Sequence, residues 1–185
     1  MTWLNLERGD PVVHGGGSAA VGFSETFEEF YAREFPAVAA LAFALSGSRT
    51  ASEDLAQEAF LAAHRDWARV AGYERPDLWV RRVVSNMSMS MFRRRYAEAR
   101  ALARFARRAG TTMPELSAND AEFWAAVRSL PRRQAQVIAL HYLEDRPVAE
   151  IAEILGIAAG TVKKHLFDGR QTLAHELGLD EGDER

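Results

Sequence analysis

Two groups of basic side chains could bind an anionic partner. Lys163 and Lys164 are the only lysines among the 185 residues, and they are adjacent near the C-terminus. Between positions 81 and 108 the chain carries a block of arginines with Glu98 as the only acid: Arg81, Arg82, Arg93, Arg94, Arg95, Arg100, Arg104, Arg107 and Arg108. The whole chain has a net charge of −3, so this basic charge is local. A local basic block in an acidic chain indicates a defined anionic partner surface.

The sequence lacks the residues that a catalytic, metal or phosphate-binding site would need. There is no cysteine, which excludes disulfides, thiolate metal sites and cysteine nucleophiles. The five histidines are scattered, and none has a metal-binding spacing with a carboxylate. The GGGS stretch at 15–18 is not followed by the Lys-Ser/Thr of a phosphate loop. We therefore expect no catalytic residues, no metal site and no cofactor, and an enzyme is the least favoured alternative.

Nothing in the sequence indicates a membrane protein. No apolar run approaches the roughly 18 residues that span a bilayer. The N-terminus lacks a basic segment followed by an apolar core, which a secretory signal would have. We expect no membrane insertion and a cytoplasmic location.

The apolar residues recur at helical spacing and nowhere alternate like a strand. From Ser24 they form a first helical run, which Pro36 interrupts. Thr50 or Ser52 is expected to cap the second helix, because Glu53 follows Thr50 by three residues as in a capping box. The fold class is therefore predicted as all-α, with two small helical domains joined by a flexible linker.

The predicted domain boundaries lie where the helical spacing of apolar residues is lost. Residues 1–22 are predicted to form a flexible N-terminal arm, and residues 23–102 are predicted to form the first helical domain. The apolar period fades over 103–119, where a Gly-Thr-Thr-Met-Pro stretch marks the linker. The second domain covers 120–178, and 179–185 is an acidic tail.

The end of the second domain has the pattern of a helix-turn-helix. Pro147 suits the start of its first helix, and Gly156 can take the positive φ that ends it. Ile157 would fill the angle between the helices, and the second helix would begin near Ala159 or Gly160. Core positions on that second helix are Val162, Leu166 and Leu173, while exposed positions are Thr161, Lys163, Lys164, His165 and Asp168.

In such a motif the second helix lies in the DNA major groove, and its N-terminal residues meet base edges. A lysine there can reach phosphates or guanine acceptors. The coincidence of glycine, apolar plug and basic first turn favours DNA binding. The alternative is a plain helical hairpin with a solvated basic turn.

A third pattern lies earlier, in the segment DLAQEAF. Asp54, Gln57 and Glu58 share one helical face, and Leu55, Ala59 and Phe60 lie on or near the opposite side. An acidic face with an amide suits an arginine-rich partner helix. A solvated helix face is the alternative.

Four segments, in order, resemble the extracytoplasmic-function (ECF) group of the sigma-70 family, over about residues 27–178. GIAAGTVKKHLFDGRQTL resembles its −35-reading helix-turn-helix, and LPRRQAQVIALHYLED resembles the helix before it. DLAQEAFLAAHRDW resembles the helix that docks on the coiled coil of the largest polymerase subunit. RPDLWVRRVVSNMSMSMFRRR resembles the segment that melts and reads the −10 element.

The resemblance implies a sigma factor that binds core RNA polymerase and directs it to −35/−10 promoters, without catalysis of its own. Its partners would be core polymerase and promoter DNA (duplex at −35, single-stranded at −10), with an anti-sigma factor as a further candidate. The implied polymerase-binding residues are Asp54, Gln57, Glu58 and Phe60. The implied −10 residues are Arg81, Arg82, Asn86, Ser90, Arg93, Arg94 and Arg95. The implied −35 residues are Gly160, Thr161, Lys163, Lys164, His165 and Arg170.

The chain departs from the family pattern at three of these places. Ser90 stands where an aspartate is frequent, and His165 and Asp168 stand near positions where arginine is usual. A carboxylate at Asp168 would repel phosphate, so we expect Lys164, four residues earlier, to pair with it. Aspartate can also accept from cytosine, but the intrahelical pair is preferred.

The second rival is a stand-alone helix-turn-helix regulator, which binds duplex DNA without polymerase. Such a protein would need neither the acidic helix face nor a segment for single-stranded DNA.

Overall fold

The computed structural model describes residues 25–88 and 118–179, and those two stretches contain helices and no strand. The described helices are α1 (Phe27–Ser46), α2 (Arg49–Arg65), α3 (Trp67–Val70), α4 (76–88), α5 (Ala118–Ser129), α6 (Arg132–Tyr142), α7 (Val148–Leu155) and α8 (Ala159–Glu176). The predicted all-α class is confirmed. Within these residues no helix is long and apolar enough to cross a membrane.

Several sequence predictions lie outside the described residues. They are the N-terminal arm 1–22, nearly all of the linker 103–119, most of the acidic tail, and the predicted −10 residues Ser90, Arg93, Arg94 and Arg95.

The first helix begins later than the predicted Ser24, because Thr26 caps it. The Thr26 hydroxyl accepts the N–H of Glu29 at 3.3 Å, and the Glu29 carboxylate accepts the N–H of Thr26 at 2.9 Å, which completes a capping box. Helix α1 continues through Pro36 and ends at Gly47, whose φ of +66° suits a residue without Cβ.

The predicted cap of α2 was wrong. The N-cap is Ser48, whose hydroxyl accepts the N–H of Ala51 at 3.4 Å. The helix therefore starts at Arg49, one turn before a cap at Ser52 would allow. Glu53 does not close a capping box and pairs with Arg49 at 3.0 Å.

An aromatic cluster holds α1, α2 and α3 together. Phe30 and Phe60 are fully buried with ring centroids 5.8 Å apart, and Phe30 lies 5.0 Å from Trp67. Tyr31 meets Phe60 edge-on at 5.0 Å. Such contacts add to the burial of apolar area, and they fix which side of α2 faces solvent.

The helix-turn-helix forms as predicted. Gly156 has a φ of +63° and ends α7, and Ile157 packs against the apolar core. Helix α8 begins at Ala159, and Val162, Leu166 and Leu173 are buried. The helix pair is therefore positioned by its apolar side, and the other side of α8 stays in solvent.

The N-terminal half (α1–α4) and the C-terminal half (α5–α8) pack against each other. Helix α1 contacts both α5 and α6, and one apolar cluster includes residues of both halves. The Arg128 side chain of α5 lies over Gly47, where an added Cβ would come within 2.7 Å of its Nε. Burial lowers the pKa of Arg128 from its ordinary value.

Candidate nucleic-acid interface

The exposed face of α2 carries three of the four predicted polymerase-binding residues. Asp54, Gln57 and Glu58 are solvent-exposed, in agreement with the i, i+3, i+4 reasoning. Phe60 does not belong to this face, because its side chain is 1% exposed inside the aromatic cluster. It holds α2 in place and cannot contact a partner directly. The face also contains Leu61, which is 51% exposed and which the sequence reasoning did not select.

The polar stripe on α4 is covered by protein. The apolar residues of this helix, Leu78, Val80, Val83 and Val84, are buried in the apolar cluster. Yet Arg81, Ser85 and Ser88, at successive turns on another side, are also buried. The α6 residue Gln136, itself 2% exposed, donates its side-chain amide to the Ser85 carbonyl at 2.8 Å.

Arg81 lies at the centre of this covered region. Its side chain is 3% exposed and forms ion pairs with Glu34 of α1, at 2.7 Å, and with Glu144 of the C-terminal half. It also donates to the carbonyl of Asp77 at 3.0 Å. A guanidinium with this many partners is unable to track DNA phosphates in this arrangement of the halves.

Arg82 contacts the end of the first helix of the helix-turn-helix. It donates to the carbonyl of Ile154 at 3.2 Å and to the carbonyl of Glu153. These carbonyls belong to the last turn of α7, where the helix presents acceptors and a partial negative charge. Asn86, the third predicted −10 residue that the structure describes, is exposed.

Further ion pairs surround Arg81 and join the two halves. Arg75 pairs with Glu150 at 2.9 Å, and Arg146 pairs with Asp77 at 3.1 Å. We call the six charged residues that join the two halves the closing cluster: Arg75, Asp77, Arg81, Glu144, Arg146 and Glu150.

The cluster shifts the ionisation of its members. A hydrogen bond from Arg75 holds the pKa of Glu150 below its ordinary value against the opposing effect of burial, and a hydrogen bond from Arg146 lowers it further. Burial would raise the pKa of Asp77, but Arg75 and Arg146 outweigh it and the pKa is lowered. Both carboxylates are therefore charged at neutral pH.

The predicted −35 face is open to solvent, unlike α4. Gly160, Thr161, Lys163 and Lys164 are all exposed along the first turns of α8. A Cβ added at Gly160 would meet nothing within 4 Å, so this glycine leaves the surface unobstructed.

The other polar residues that the sequence analysis named on this helix, His165, Asp168 and Arg170, are already engaged or partly buried. Lys164 and Asp168 pair at 2.9 Å, which confirms the predicted intrahelical pair. His165 is half-buried, and its Nδ1 has no hydrogen-bond partner among the described residues. Arg170 donates to the Tyr142 hydroxyl at 2.6 Å and stacks on that ring, with its Cζ 5.5 Å from the centroid.

Phe167 is the residue of this helix that the sequence reasoning missed. It is 60% exposed and lies three residues after Lys164 and seven after Gly160, on the same face. The signal was present, since Phe167 falls outside the spacing of the core positions Val162, Leu166 and Leu173. An exposed phenylalanine on a groove-binding helix can contact a thymine methyl group.

Within residues 25–88 and 118–179 no group of histidines and carboxylates is placed to hold a metal ion. The described surface instead offers an acidic docking face on α2 and a basic, partly apolar face at the start of α8. A basic helix-turn-helix together with an exposed acidic helix face is typical of a class of DNA-binding proteins that also bind a protein partner.

Two family models match the chain and identify that class. The model described as sigma-70 region 2 matches residues 30–98, and the model described as sigma-70, region 4 matches residues 120–173. The chain belongs to the sigma-70 family of RNA polymerase sigma factors, in its ECF group.

The chain is similar to several curated proteins along most of its length. It is 28% identical over 151 residues to the ECF RNA polymerase sigma factor SigW of Bacillus subtilis, covering 74% of this chain and 81% of SigW. It is 31% identical to the ECF sigma factor SigE of Mycolicibacterium smegmatis, covering 82% of this chain and 62% of SigE. With the probable sigma factor RfaY of Xanthomonas campestris pv. campestris it shares 29% identity, and the match covers 42% of RfaY.

Solved structures share the fold. The sigma factor RpoE, in complex with the anti-sigma factor NepR from Bartonella quintana, superposes with a TM-score of 0.67 at 24% identity, covering 84% of this chain and 98% of that one. CnrH, in complex with the cytosolic domain of CnrY, gives a TM-score of 0.59 at 23% identity, covering 84% and 89%.

Proposed function

We propose that this chain binds core RNA polymerase and directs it to promoters with −35 and −10 elements, as an ECF sigma factor. The observation that supports this most strongly is the pairing of two exposed faces of opposite charge on separate halves. The acidic, amide-bearing face of α2 suits a basic polymerase helix, and the first turns of α8 suit a major groove.

The polymerase-docking role is assigned to Asp54, Gln57 and Glu58, with Leu61 as an apolar anchor among them. A large exposed apolar side chain inside a ring of polar residues has the character of an interface hot spot. Phe60 contributes by holding the helix, and a variant there would act through folding.

The −35 role is assigned to Gly160, Thr161, Lys163 and Lys164, with Phe167 as a contact to a thymine methyl group. Arg170 and His165 act as positioning residues, since Arg170 stacks on Tyr142 and His165 is half-buried.

The −10 role is assigned to α4 and the arginines after it, namely Arg81, Arg82, Asn86, Ser90, Arg93, Arg94 and Arg95. Holding unpaired bases out of the duplex costs a few kcal/mol, which a basic groove with stacking surfaces can offset. The corresponding domains are 23–102 and 120–178, joined by the linker 103–119.

The proposal also includes the cellular location of the chain and its partners. The chain would act in the cytoplasm, without a catalytic reaction of its own, where polymerase and DNA are. An anti-sigma factor is a candidate partner, because the sigma factor RpoE, which has the same fold, was solved in complex with the anti-sigma factor NepR.

Run-off transcription tests this function. The chain is mixed with bacterial core polymerase and sheared genomic DNA, and transcript starts are sequenced. Discrete starts should share two motifs separated by about one and a half helical turns. An Asp54→Ala variant should lose these starts, and Glu122→Ala, an exposed acidic residue on α5, is the matched control. Duplex binding without specific starts would instead indicate the stand-alone regulator.

A further inference from the structure

The imidazole ring of His141 contacts two other parts of the C-terminal half. His141 lies on α6 and is half-buried. Its Nε2 lies 3.3 Å from Nη2 of Arg170, which belongs to α8. Its Nδ1 lies 3.2 Å from the carbonyl oxygen of Arg146, in the turn that leads to α7. One side chain therefore contacts the second helix of the helix-turn-helix and also the entry to its first helix.

The two contacts together fix where the ring carries its proton. A guanidinium group can only donate, so Nε2 of His141 accepts from Arg170 and holds no proton. A carbonyl oxygen can only accept, so Nδ1 donates to Arg146. The ring is therefore neutral, with its single proton on Nδ1. A second proton on Nε2 would point an N–H at a guanidinium of like charge and break the contact with Arg170.

Arg170 belongs to an exposed row of side chains on α8. It lies three residues after Phe167 and seven after Lys163, and all three are exposed. Tyr142 accepts from Nε of Arg170 and stacks on the guanidinium, and His141 accepts from Nη2. Two fixed points orient a planar guanidinium, whereas Tyr142 alone would allow it to pivot. The link to His141 therefore restrains this side of α8 against α6.

The turn after α6 depends on the same ring. Arg146 donates its backbone N–H to the carbonyl of Leu140 at 3.1 Å, and its own carbonyl accepts from His141. Asp145, just before it, has a φ of +50°, in the left-handed region that is unusual for a residue with a Cβ. Both backbone groups of Arg146 are thus held by α6, which sets the direction in which the chain enters α7.

We propose that His141, as a neutral ring protonated on Nδ1, is a positioning residue for −35 recognition that acts through Arg170. It fixes the angle of α8 relative to α6, and with that angle the row formed by Lys163 and Phe167, without touching DNA. The proposal rests on the −35 function proposed for α8. Affinity for duplex DNA should then depend on an acceptor at the position of Nε2, and much less on the donor at Nδ1.

Nuclear magnetic resonance of the full chain tests the protonation of the ring. The five histidines are isotope-labelled, and long-range correlations within each ring show which nitrogen carries a proton. The signals of His141 are those that the His141→Gln variant lacks. We expect a proton on Nδ1 and none on Nε2 at neutral pH. A proton on Nε2, alone or together with Nδ1, would overturn the proposal.

Two substitutions separate the two contacts of the ring. His141→Gln places an amide oxygen near the position of Nε2, where it accepts from Arg170, and gives up the contact with Arg146. His141→Asn reaches only to the position of Nδ1, where its amide donates to the carbonyl of Arg146 and leaves Arg170 with Tyr142 alone. His175→Gln makes the same change at an exposed site in the last turn of α8 and is the matched control.

Binding to duplex DNA gives the functional readout. The probe is a labelled duplex that the original chain selects from a random-sequence pool. His141→Gln and His175→Gln should bind it as tightly as the original chain. His141→Asn should bind it about fivefold more weakly, because one hydrogen bond to a charged group is lost.

Urea unfolding distinguishes positioning from a purely structural role. Each His141 variant loses one hydrogen bond of the ring, so their free energies of unfolding should fall by comparable amounts. A purely structural ring would then weaken DNA binding equally in both variants. Equal affinities of His141→Gln and His141→Asn for the duplex would therefore overturn the proposal.

The two kinds of measurement separate this inference from the proposed function. If the original chain selects no duplex although Nδ1 of His141 carries the proton, the −35 role of α8 is what fails, and the positioning role is overturned with it. If a duplex is selected but the ring is protonated on Nε2, the −35 function stands, and only the role of His141 fails.

Discussion

The helices α4 and α8 carry the same basic chemistry in opposite surroundings. Arg81 on α4 is 3% exposed and held between Glu34 and Glu144, whereas Lys164 on α8 is 71% exposed and pairs with Asp168 on the same helix. Residues of the other half of the chain contact the first surface, and the second is open to solvent. A basic residue that resembles a nucleic-acid contact is therefore available only when its neighbours leave it free.

Arg81→Ala should give the largest effect, because it leaves Glu34 and Glu144 buried beside fewer cations. We expect the free energy of unfolding to fall by about 3 kcal/mol. Urea unfolding measures this, and the dependence on denaturant should be compared as well as the midpoint.

Arg49→Ala is the matched control for that change. Its partner Glu53 is 50% exposed, so the loss should stay below about 1 kcal/mol. Equal losses in the two variants would mean that the Arg81 pairs are no stronger than surface pairs.

On the open side of the comparison, Lys163→Ala should weaken binding to a −35 duplex by about 1 kcal/mol. The slope of log affinity against log salt should also decrease by about one unit, since one phosphate contact is lost. Titration of a promoter fragment at several salt concentrations gives both numbers. Unchanged affinity would rule out Lys163 as a contact. The free energy of unfolding of the Lys163→Ala variant should not change in either case.

Asp168→Ala should act in the opposite direction and more weakly. Its carboxylate holds Lys164 at 2.9 Å, and removing it frees that ammonium group and removes a charge that repels phosphate. We expect binding to the same duplex to strengthen by about 0.5 kcal/mol. Lys164→Ala in the Asp168→Ala background should then cost more than Lys164→Ala alone, and additive effects would contradict the pairing.

The smallest expected effect is the response to acid of the ion pairs that join the two halves. The pKa values of Asp77 and Glu150 are lowered in the folded chain by Arg75 and Arg146, so their contribution is fully present above the ordinary carboxyl pKa of about 4. It is lost as pH falls through the lowered values. The free energy of unfolding, measured in urea, should therefore change little between pH 8 and about pH 5 and fall below about pH 4. A change near neutral pH would point to other groups.

The features that could be predicted from the sequence depend on residues that are close together along the chain. Gly156 needs a left-handed backbone, and apolar spacing places Val162, Leu166 and Leu173 inside, so the helix-turn-helix followed from neighbouring residues. The Lys164–Asp168 pair followed for the same reason, as both members lie on one helix. Prediction failed at the start of α2, where Ser48 offered a nearer cap than Thr50 or Ser52.

Phe60 marks a different limit. Its place within DLAQEAF suggested a surface role by resemblance, although its spacing relative to Leu55 and Ala59 already indicated the inner side. Packing against Phe30 and Tyr31 decided the matter. Leu61 and Phe167 were missed because an apolar residue is assigned to the core by default, and only burial shows that these two lie outside it.

By itself the sequence determined the helices, the two basic groups and the acidic face of α2, because each depends on residues within a few turns of one another. Only the tertiary structure decided that Arg81 meets Glu144, 63 positions away, and that Arg82 meets the carbonyls ending α7. Such contacts depend on how two separately folded surfaces fit together, and helical periodicity carries no information about that. Arg81 and Arg82, which the sequence analysis predicted as DNA contacts, join the two halves in this fold.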